Sequence, residues 1–513
     1  MADNLFSHLI SNADADRTAL IIPGGGVVSY RDLDRMSARH ANALGALGVK
    51  RGDRVAVQAE KSLGAVLLYL GALRLGAVYL PLNTAYTTAE TSYFLSDAEP
   101  ALFVCDPARE GAARDLCRDG RTTVASLGGS LDPVVDEQED RFETAAVSAS
   151  DLAAILYTSG TTGRSKGAML THGNLLSNVA ALKECWRYTA EDTLIHALPI
   201  FHTHGLFVAL NLTFFSKASA ILLPKFDPDA IMQALPSATV LMGVPTFYTR
   251  LLSHPRLTAE ACRHMRVFIS GSAPLRAETH EGWRRRTGHA ILERYGMTET
   301  NMNTSNPYDG ERRAGTVGFP LPGVSVRIVD PATNVPAGTD QIGMIQVKGP
   351  NVFKGYWRMP EKTAAEFTPD GFFITGDVGK VDGDGYIHII GRQKDLVITG
   401  GYNVYPKEIE TEIDAVPGVA ESAVFGVEDA DMGERVIAAV VPDGSRDIKA
   451  EDIEAHLSER LARYKRPSDI IFLTELPRNT MGKVQKDVLR RHYAEGWAPV
   501  AARPNAREVE NAR

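Results

Sequence analysis

The chain has 513 residues, too many for one ordinary core, and its 44% apolar and 23% charged content is the balance of a globular protein of two or more domains. A net charge of −8, from 55 basic and 63 acidic residues, argues against a general nucleic-acid binder, which needs a basic surface to displace counterions. The four cysteines, Cys105, Cys117, Cys185 and Cys262, form no CxxC pair, so neither a zinc site nor a disulfide framework is expected and a reducing cytosol fits best.

Taken in chain order, the first residues carry Asp3, Asp14 and Asp16 and lack the basic start of a secretory signal. Leu5, Phe6, Leu9 and Ile10 fit one face of a short helix. Arg54 to Gln58 reads as a strand, Ser62 to Leu75 as a helix, Ala77 to Leu82 as a strand, Thr88 to Ser96 as a helix and Ala101 to Cys105 as a strand. The apolar stretch Leu63 to Leu73 is too short to span a bilayer and reads as a buried helix. This alternation predicts an α/β protein whose parallel sheets are covered by helices. Pro107 to Ser148 is polar and weakly patterned and reads as surface connection. Strands are expected at Ala153 to Thr158, Thr193 to Leu198, Ala220 to Leu223, Val240 to Gly243 and Val267 to Ser270. Past Gly315 the pattern shortens into a barrel-like piece, with strands at Val324 to Val329, Met344 to Lys348 and Tyr386 to Ile390. Gly391 to Asp395 is a short charged segment where a domain boundary falls. Beyond it a compact α+β pattern follows, and Ala498 to Arg513, rich in Ala, Pro, Arg and Asn, reads as disordered.

The strongest local signal is Tyr157-Thr158-Ser159-Gly160-Thr161-Thr162-Gly163-Arg164-Ser165-Lys166-Gly167. Its glycines let the backbone turn and approach a ligand, its N–H groups and hydroxyls supply donors, and Lys166 supplies charge, which together suit a triphosphate. A Walker A loop needs Gly-Lys-Ser/Thr, and here Ser165 precedes the lysine and Gly167 follows it. The bland reading is a flexible linker, yet such linkers seldom follow a buried strand.

This segment resembles the signature loop of the adenylate-forming superfamily, which includes acyl-CoA synthetases, peptide-synthetase adenylation domains and luciferases. The resemblance runs from about Ser29 to Arg490. It implies a large N-terminal domain over residues 1–391, built of two α/β subdomains and a barrel-like part, and a small, mobile α+β C-terminal domain over residues 392–497. It also implies ATP, Mg²⁺ and coenzyme A as reactants or cofactors. Thr158, Ser159, Gly160, Thr161, Thr162, Gly163 and Lys166 would hold the phosphates. In Glu293-Arg294-Tyr295-Gly296-Met297-Thr298-Glu299-Thr300, Tyr295 would stack on adenine, Thr298 contact the α-phosphate and Glu299 ligate Mg²⁺, with Ser159 as a second metal contact. From the residues alone, a helix C-terminus with a loop is equally compatible with that segment. Gly271, Ser272 and Ala273 resemble the loop against which the adenine lies. Asp377 in Thr375-Gly376-Asp377 resembles the ribose-binding carboxylate and Arg392 the arginine that supports ribose and phosphate.

Lys483, in Asn479-Thr480-Met481-Gly482-Lys483-Val484, stands where the family places its adenylation lysine, although Met481 replaces the usual Ser. A positioned ammonium stabilises the charge that builds on the phosphate during carboxylate attack, and acetylation at this position would remove it. Gly400, Gly401 and Tyr402 resemble the loop lining a pantetheine tunnel, and Lys394 the hinge about which the small domain would rotate between half-reactions.

The acid is read from a few residues. Phe201-His202-Thr203-His204-Gly205 resembles the segment bordering the acyl pocket, with His202 beside the reacting carboxylate; as a metal pair, two histidines with no third ligand are weak. Arg294 precedes the adenine-stacking tyrosine. A fatty or aromatic acid gains nothing from a buried cation, whereas a dicarboxylic acid can offer it a charge-assisted pair. A structural ion pair with Glu281 or Glu293 is the competing reading. Arg294 through Gly318 resembles bacterial malonyl-CoA synthetases, which implies malonate as substrate and methylmalonate as tolerated, with Ser272, Thr203 and Met302 limiting pocket depth. Other readings are a ligase for an aromatic or medium-chain monoacid, decided by a substrate panel; a stand-alone adenylation domain loading a carrier protein; and a non-catalytic binding protein, decided by ATP–pyrophosphate exchange.

Overall fold

The computed structural model describes residues 3–158, 165–399, 402–429, 432–479 and 482–496. The chain divides into two units that interleave in sequence: the first comprises Met1–Arg327, Gln346–Thr375 and Gly385–Ile387, the second Ile328–Ile345, Gly376–Asp384 and His388–Arg513. Among the described residues no helix is long and apolar enough to cross a membrane.

The first unit contains two large sheets. One has seven strands in the order Gly355–Tyr356, Lys166–Thr171, Leu152–Thr158, Val78–Pro81, Arg54–Gln58, Leu102–Cys105, Thr123–Ser126. The strands from Leu152–Thr158 to the last edge run parallel, and Lys166–Thr171 returns antiparallel beside Leu152–Thr158. The parallel strands are apolar on both faces because helices cover both. Leu63–Leu75 is such a helix: Ser62 caps it by accepting from the Ala65 N–H, Gly76 ends it in the left-handed region, and every residue from Ala65 to Arg74 is buried. Truncating one of its leucines to alanine is expected to cost about 2–5 kcal/mol. The polar stretch after Pro107 is more than surface connection. It holds a helix, Glu110–Leu116, and the edge strand Thr123–Ser126, whose only apolar residues, Val124 and Ala125, gave a period too short to read.

The other sheet has nine strands in the order Phe319–Pro320, Asn301–Ser305, Leu292–Met297, Val267–Ser270, Val240–Gly243, Thr193–His196, Ser219–Leu222, Thr18–Ile22, Gly26–Ser29. From Leu292–Met297 to Thr18–Ile22 its strands are parallel. Their C-terminal ends therefore lie along one edge of the sheet, which is where ligands bind in open α/β sheets. Glu293 to Met297, for which a helix end was equally compatible, forms one of these strands and turns back into Asn301–Ser305.

The second unit is built on a five-stranded sheet. Tyr402–Val404, Val397–Thr399, Gly433–Pro442 and Val419–Asp429 pair in that order, and Asp469–Phe472 adds parallel to Gly433–Pro442. Pro406–Asp414 and Ala450–Arg460 pack Ile409, Ile413, Ile453 and Leu457 onto one face; Leu489 of Lys486–Ala494 belongs to the core on the other.

Candidate active site

Strand register decides the first part of the site. Ile269 pairs with Leu292 and Ser270 with Glu293, so the next position along sets Gly271 beside Arg294. Paired residues present side chains to the same face, and the guanidinium fills the space that a side chain at Gly271 would need: a Cβ there would stand 2.4 Å from Arg294 Cζ. Ser272 follows at φ +72°, a conformation L-residues adopt at a cost, and its hydroxyl lies 3.2 Å from His204 Nδ1. His204 begins a π-helical segment, His204–Leu210, a geometry often found at functional sites.

Arg294 is 3% exposed. Its Nε and Nη2 have no hydrogen-bond partner among the described residues, and neither glutamate considered as a partner is paired with it. Glu281 lies 3.8 Å from Arg285, and Glu293 accepts from the Leu275 N–H at 3.0 Å. Burial pushes the guanidinium down to about 9, Tyr248 and Glu293 working the other way, so it is charged at neutral pH. His202 is pushed down to about 4 by burial and by Arg294, and His204 is lowered by the same causes. Both imidazoles are therefore neutral beside a cation. His202 Nδ1 accepts from the His204 N–H at 3.2 Å, and the buried Thr203 hydroxyl has no partner among the described residues. The arrangement is a buried cluster of donors around one positive charge, a chemistry suited to a carboxylate. Met302 joins it indirectly: its main chain is held by Asn178 at 2.8 and 3.3 Å, and its methyl packs on Gly296.

The second part flanks the phosphate loop. Thr158 ends the strand before it and Lys166 starts the strand after it; Ser159, Gly160, Thr161, Thr162 and Gly163 lie outside the described residues. Thr158 Oγ1 donates to Glu299 Oε1 at 3.3 Å, and the Tyr356 hydroxyl lies 3.1 Å from that oxygen and 2.6 Å from Glu366 Oε2. Lys166 Nζ pairs with Glu366 at 3.1 Å and sits 4.0 Å from the centroid of the Tyr356 ring, so its charge is already engaged by the protein. Tyr356 carries no local signal in the sequence, because its partner Glu299 is 57 residues before it. Among the described residues no group of three His, Cys, Asp or Glu could hold a metal on protein ligands alone. A single fixed carboxylate such as Glu299 fits Mg²⁺, which takes one or two carboxylates, keeps several waters and binds substrate phosphates. Tyr295 lies within the strand Leu292–Met297 and Thr298 opens the turn that follows it, both half-buried, as are Ser272 and Ala273.

The third part lies within the second unit. Asp377, 4% exposed, is paired with Arg392 Nε at 2.8 Å. Lys483 is exposed as a residue, yet its ammonium is lowered to about 8 by desolvation and by Arg392, with Asp377 and Asp395 pulling it back and Lys394 adding to the depression. Lys394 sits in the turn Gln393–Asp395, whose Asp395 accepts from Arg490 Nη2 at 3.3 Å. Gly400 and Gly401 lie outside the described residues. Tyr402 is 58% exposed, stacks on Tyr464 at 4.6 Å, and lines with Arg435, Arg463 and Arg466 a cavity of about 520 Å³.

An α/β unit whose parallel strands lead out at Thr158 and carry a buried guanidinium at Arg294, with the buried carboxylate of Glu299 accepting from Thr158, is the framework of a nucleotide-dependent, acid-activating enzyme. The chain belongs to the AMP-binding enzyme family, whose model matches residues 10–357, while the model of the AMP-binding enzyme C-terminal domain matches residues 408–483. Among solved structures, the ATP-bound MatB from Rhodopseudomonas palustris is 58% identical, with a TM-score of 0.94 over 96% of this chain and 99% of that one. A malonate–CoA ligase from Arabidopsis thaliana is 37% identical over 86% of this chain and 78% of its own length. A feruloyl-CoA synthase from an Amycolatopsis species is also 37% identical, over 92% and 95%.

Proposed function

We propose that this protein is an ATP-dependent malonate–CoA ligase that makes malonyl-CoA, AMP and pyrophosphate through a malonyl-adenylate, and that it tolerates methylmalonate. The observation that carries the choice of acid is Arg294: a buried, charged guanidinium with two nitrogens lacking partners among the described residues favours a substrate that brings its own second carboxylate. The similarity to the Arabidopsis malonate–CoA ligase supports the same choice; the equal identity to a feruloyl-CoA synthase makes the residue, rather than overall identity, the discriminating argument.

In this reading malonate binds with its distal carboxylate on Arg294 and its reacting carboxylate beside His202, with Ser272, Thr203 and Met302 bounding the pocket. The neutral His202 can hydrogen-bond that carboxylate without neutralising the nucleophile. Tyr295, Gly271 and Ala273 cradle adenine, Thr298 and the loop 158–166 hold phosphate, and Asp377 with Arg392 takes the ribose. Glu299 and Ser159 would hold Mg²⁺, which screens phosphate charge when bound. Lys483 supplies a cation to the phosphate as charge develops, so its acetylation would silence adenylation. Gly400, Gly401 and Tyr402 are the proposed path of the thiol, and the cavity beside Tyr402, with its three arginines, suits the phosphates of coenzyme A. Lys394 is the proposed hinge, and a cytoplasmic location is proposed with it. The test is pyrophosphate and AMP release with ATP, CoA and each of malonate, methylmalonate, butyrate and acetate. Malonate is expected to lead; equal or greater turnover of butyrate would refute the assignment.

A further inference from the structure

Lys61 lies outside every residue set assigned above. It follows the strand Arg54–Gln58 of the seven-stranded sheet, one residue before the cap of the helix Leu63–Leu75. Its ammonium reaches the other sheet. Nζ is 2.9 Å from His196 Nδ1, 2.8 Å from the His196 carbonyl and 2.9 Å from the Leu198 carbonyl. An ammonium has three N–H donors and no acceptor, and here three acceptors match them. His196 continues the relay, with Nε2 2.8 Å from the Gly205 carbonyl. A carbonyl only accepts, so Nε2 carries the proton and Nδ1 is the acceptor for Lys61. The imidazole is neutral: burial and the adjacent ammonium both lower it.

These bonds close a loop. Residues 197–205 leave the strand end at His196 and return to Gly205, whose carbonyl is tied back to the His196 ring. Pro199 O presses so closely on Gly205 that a Cβ there would stand 1.9 Å from it. The loop so clamped carries His202, Thr203 and His204, the residues set against Arg294 and Ser272. Lys61 itself is lowered well below the usual amine range by burial, and among the described residues no carboxylate offsets its charge. Holding a cation there is costly, so its geometry demands an explanation that an apolar residue of similar length could not supply.

We infer that Lys61 and His196 are positioning residues for the acid pocket: Lys61 clasps the strand end of the second sheet, and the His196 ring transmits that hold to Gly205, fixing the loop that carries His202, Thr203 and His204. Neither touches substrate. The inference rests on the proposed acid-binding role of that loop, but its primary readout does not depend on which acid is used.

The experiment compares full-length wild type with Lys61→Met, His196→Phe and His196→Gln. Methionine keeps the length and removes all three donors, phenylalanine removes the ring nitrogens, and glutamine retains an N–H for Gly205. Backbone amide exchange is followed by mass spectrometry, alongside KM for malonate and for ATP. Exchange within 197–206 is expected to accelerate about tenfold or more in Lys61→Met and His196→Phe, the order of losing a hydrogen bond to a charged group. It should be unchanged in the helix Ala277–Thr287 and restored towards wild type in His196→Gln. KM for malonate should rise by about the same factor while KM for ATP moves less than about twofold. Unchanged exchange in 197–206, or acceleration spread over the whole first unit, would overturn the inference, as would equal rises in the two KM values. If Lys61→Met fails to fold, the His196→Phe and His196→Gln pair makes the same comparison with Lys61 in place. If wild type prefers another acid, the malonate reading fails, and the KM comparison is made on that acid while the exchange result stands by itself.

Discussion

Arg294→Met separates a substrate-binding arginine from a structural one because the two roles give opposite signs. Arg294 is 3% exposed, its Nε and Nη2 have no hydrogen-bond partner among the described residues, and Glu293, whose Oε1 accepts from the Leu275 amide, acts on it only through space. In the free enzyme it is thus a desolvated charge with little return. Replacing such a group by an apolar side chain of similar volume is neutral or stabilising by about 1–4 kcal/mol. With malonate bound, two charge-assisted hydrogen bonds of about 1.5–3 kcal/mol each are lost, which corresponds to a fall of roughly 10²- to 10⁴-fold in kcat/KM. Butyrate, which has no distal carboxylate, should be used no worse than by wild type. The assay is pyrophosphate release with malonate and butyrate, with urea unfolding of the same samples. A variant destabilised by about 3–5 kcal/mol, the cost of breaking a buried pair, or one whose malonate-to-butyrate ratio is unchanged, would refute the reasoning.

Gly271→Ala places a methyl 2.4 Å from Arg294 Cζ, on a backbone that tolerates alanine; it should displace the guanidinium and lower kcat/KM for malonate more than for butyrate, with KM for ATP as the control. Tyr356→Phe removes the hydroxyl shared by Glu299 and Glu366, so the Mg²⁺ concentration for half-maximal adenylation should rise several-fold, as losing one oriented hydrogen bond implies; an unchanged Mg²⁺ titration would count against Glu299 as the ligand. Lys483 is lowered to about 8, and a lysine must be protonated to stabilise phosphate charge. Hence kcat/KM for ATP, which reports the free enzyme, should fall as pH rises through about 8. Bound phosphates hold the proton on, so the corresponding limb of kcat should lie at higher pH; Lys483→Arg should lose the limb.

Local chemistry was legible wherever it depended on neighbours in sequence. The helix Leu63–Leu75 with its Ser62 cap and Gly76 stop and the pattern of the second unit follow from short-range preferences for caps and apolar periods. The strand Thr123–Ser126 was not legible, because an edge strand with two apolar residues has no period to detect. Arg294 was legible as a question only. Its residue type suited either a second carboxylate or an ion pair with Glu281 or Glu293, and local sequence does not say which acid lies within reach.

Tertiary structure narrowed that question through register. Pairing of Ser270 with Glu293 sets Gly271 beside Arg294, while Glu281 turns to Arg285 and Glu293 to a backbone amide. The same holds for Tyr356, which meets Glu299 across 57 residues, and for Lys61, which meets His196 across 135. What the sequence by itself determined was the inventory of donors, charges and flexible turns and the elements that carry them. Which of those charges are paired within the described residues only the tertiary structure decided. Desolvation and hydrogen bonding act at ångström range between residues that chain order leaves far apart.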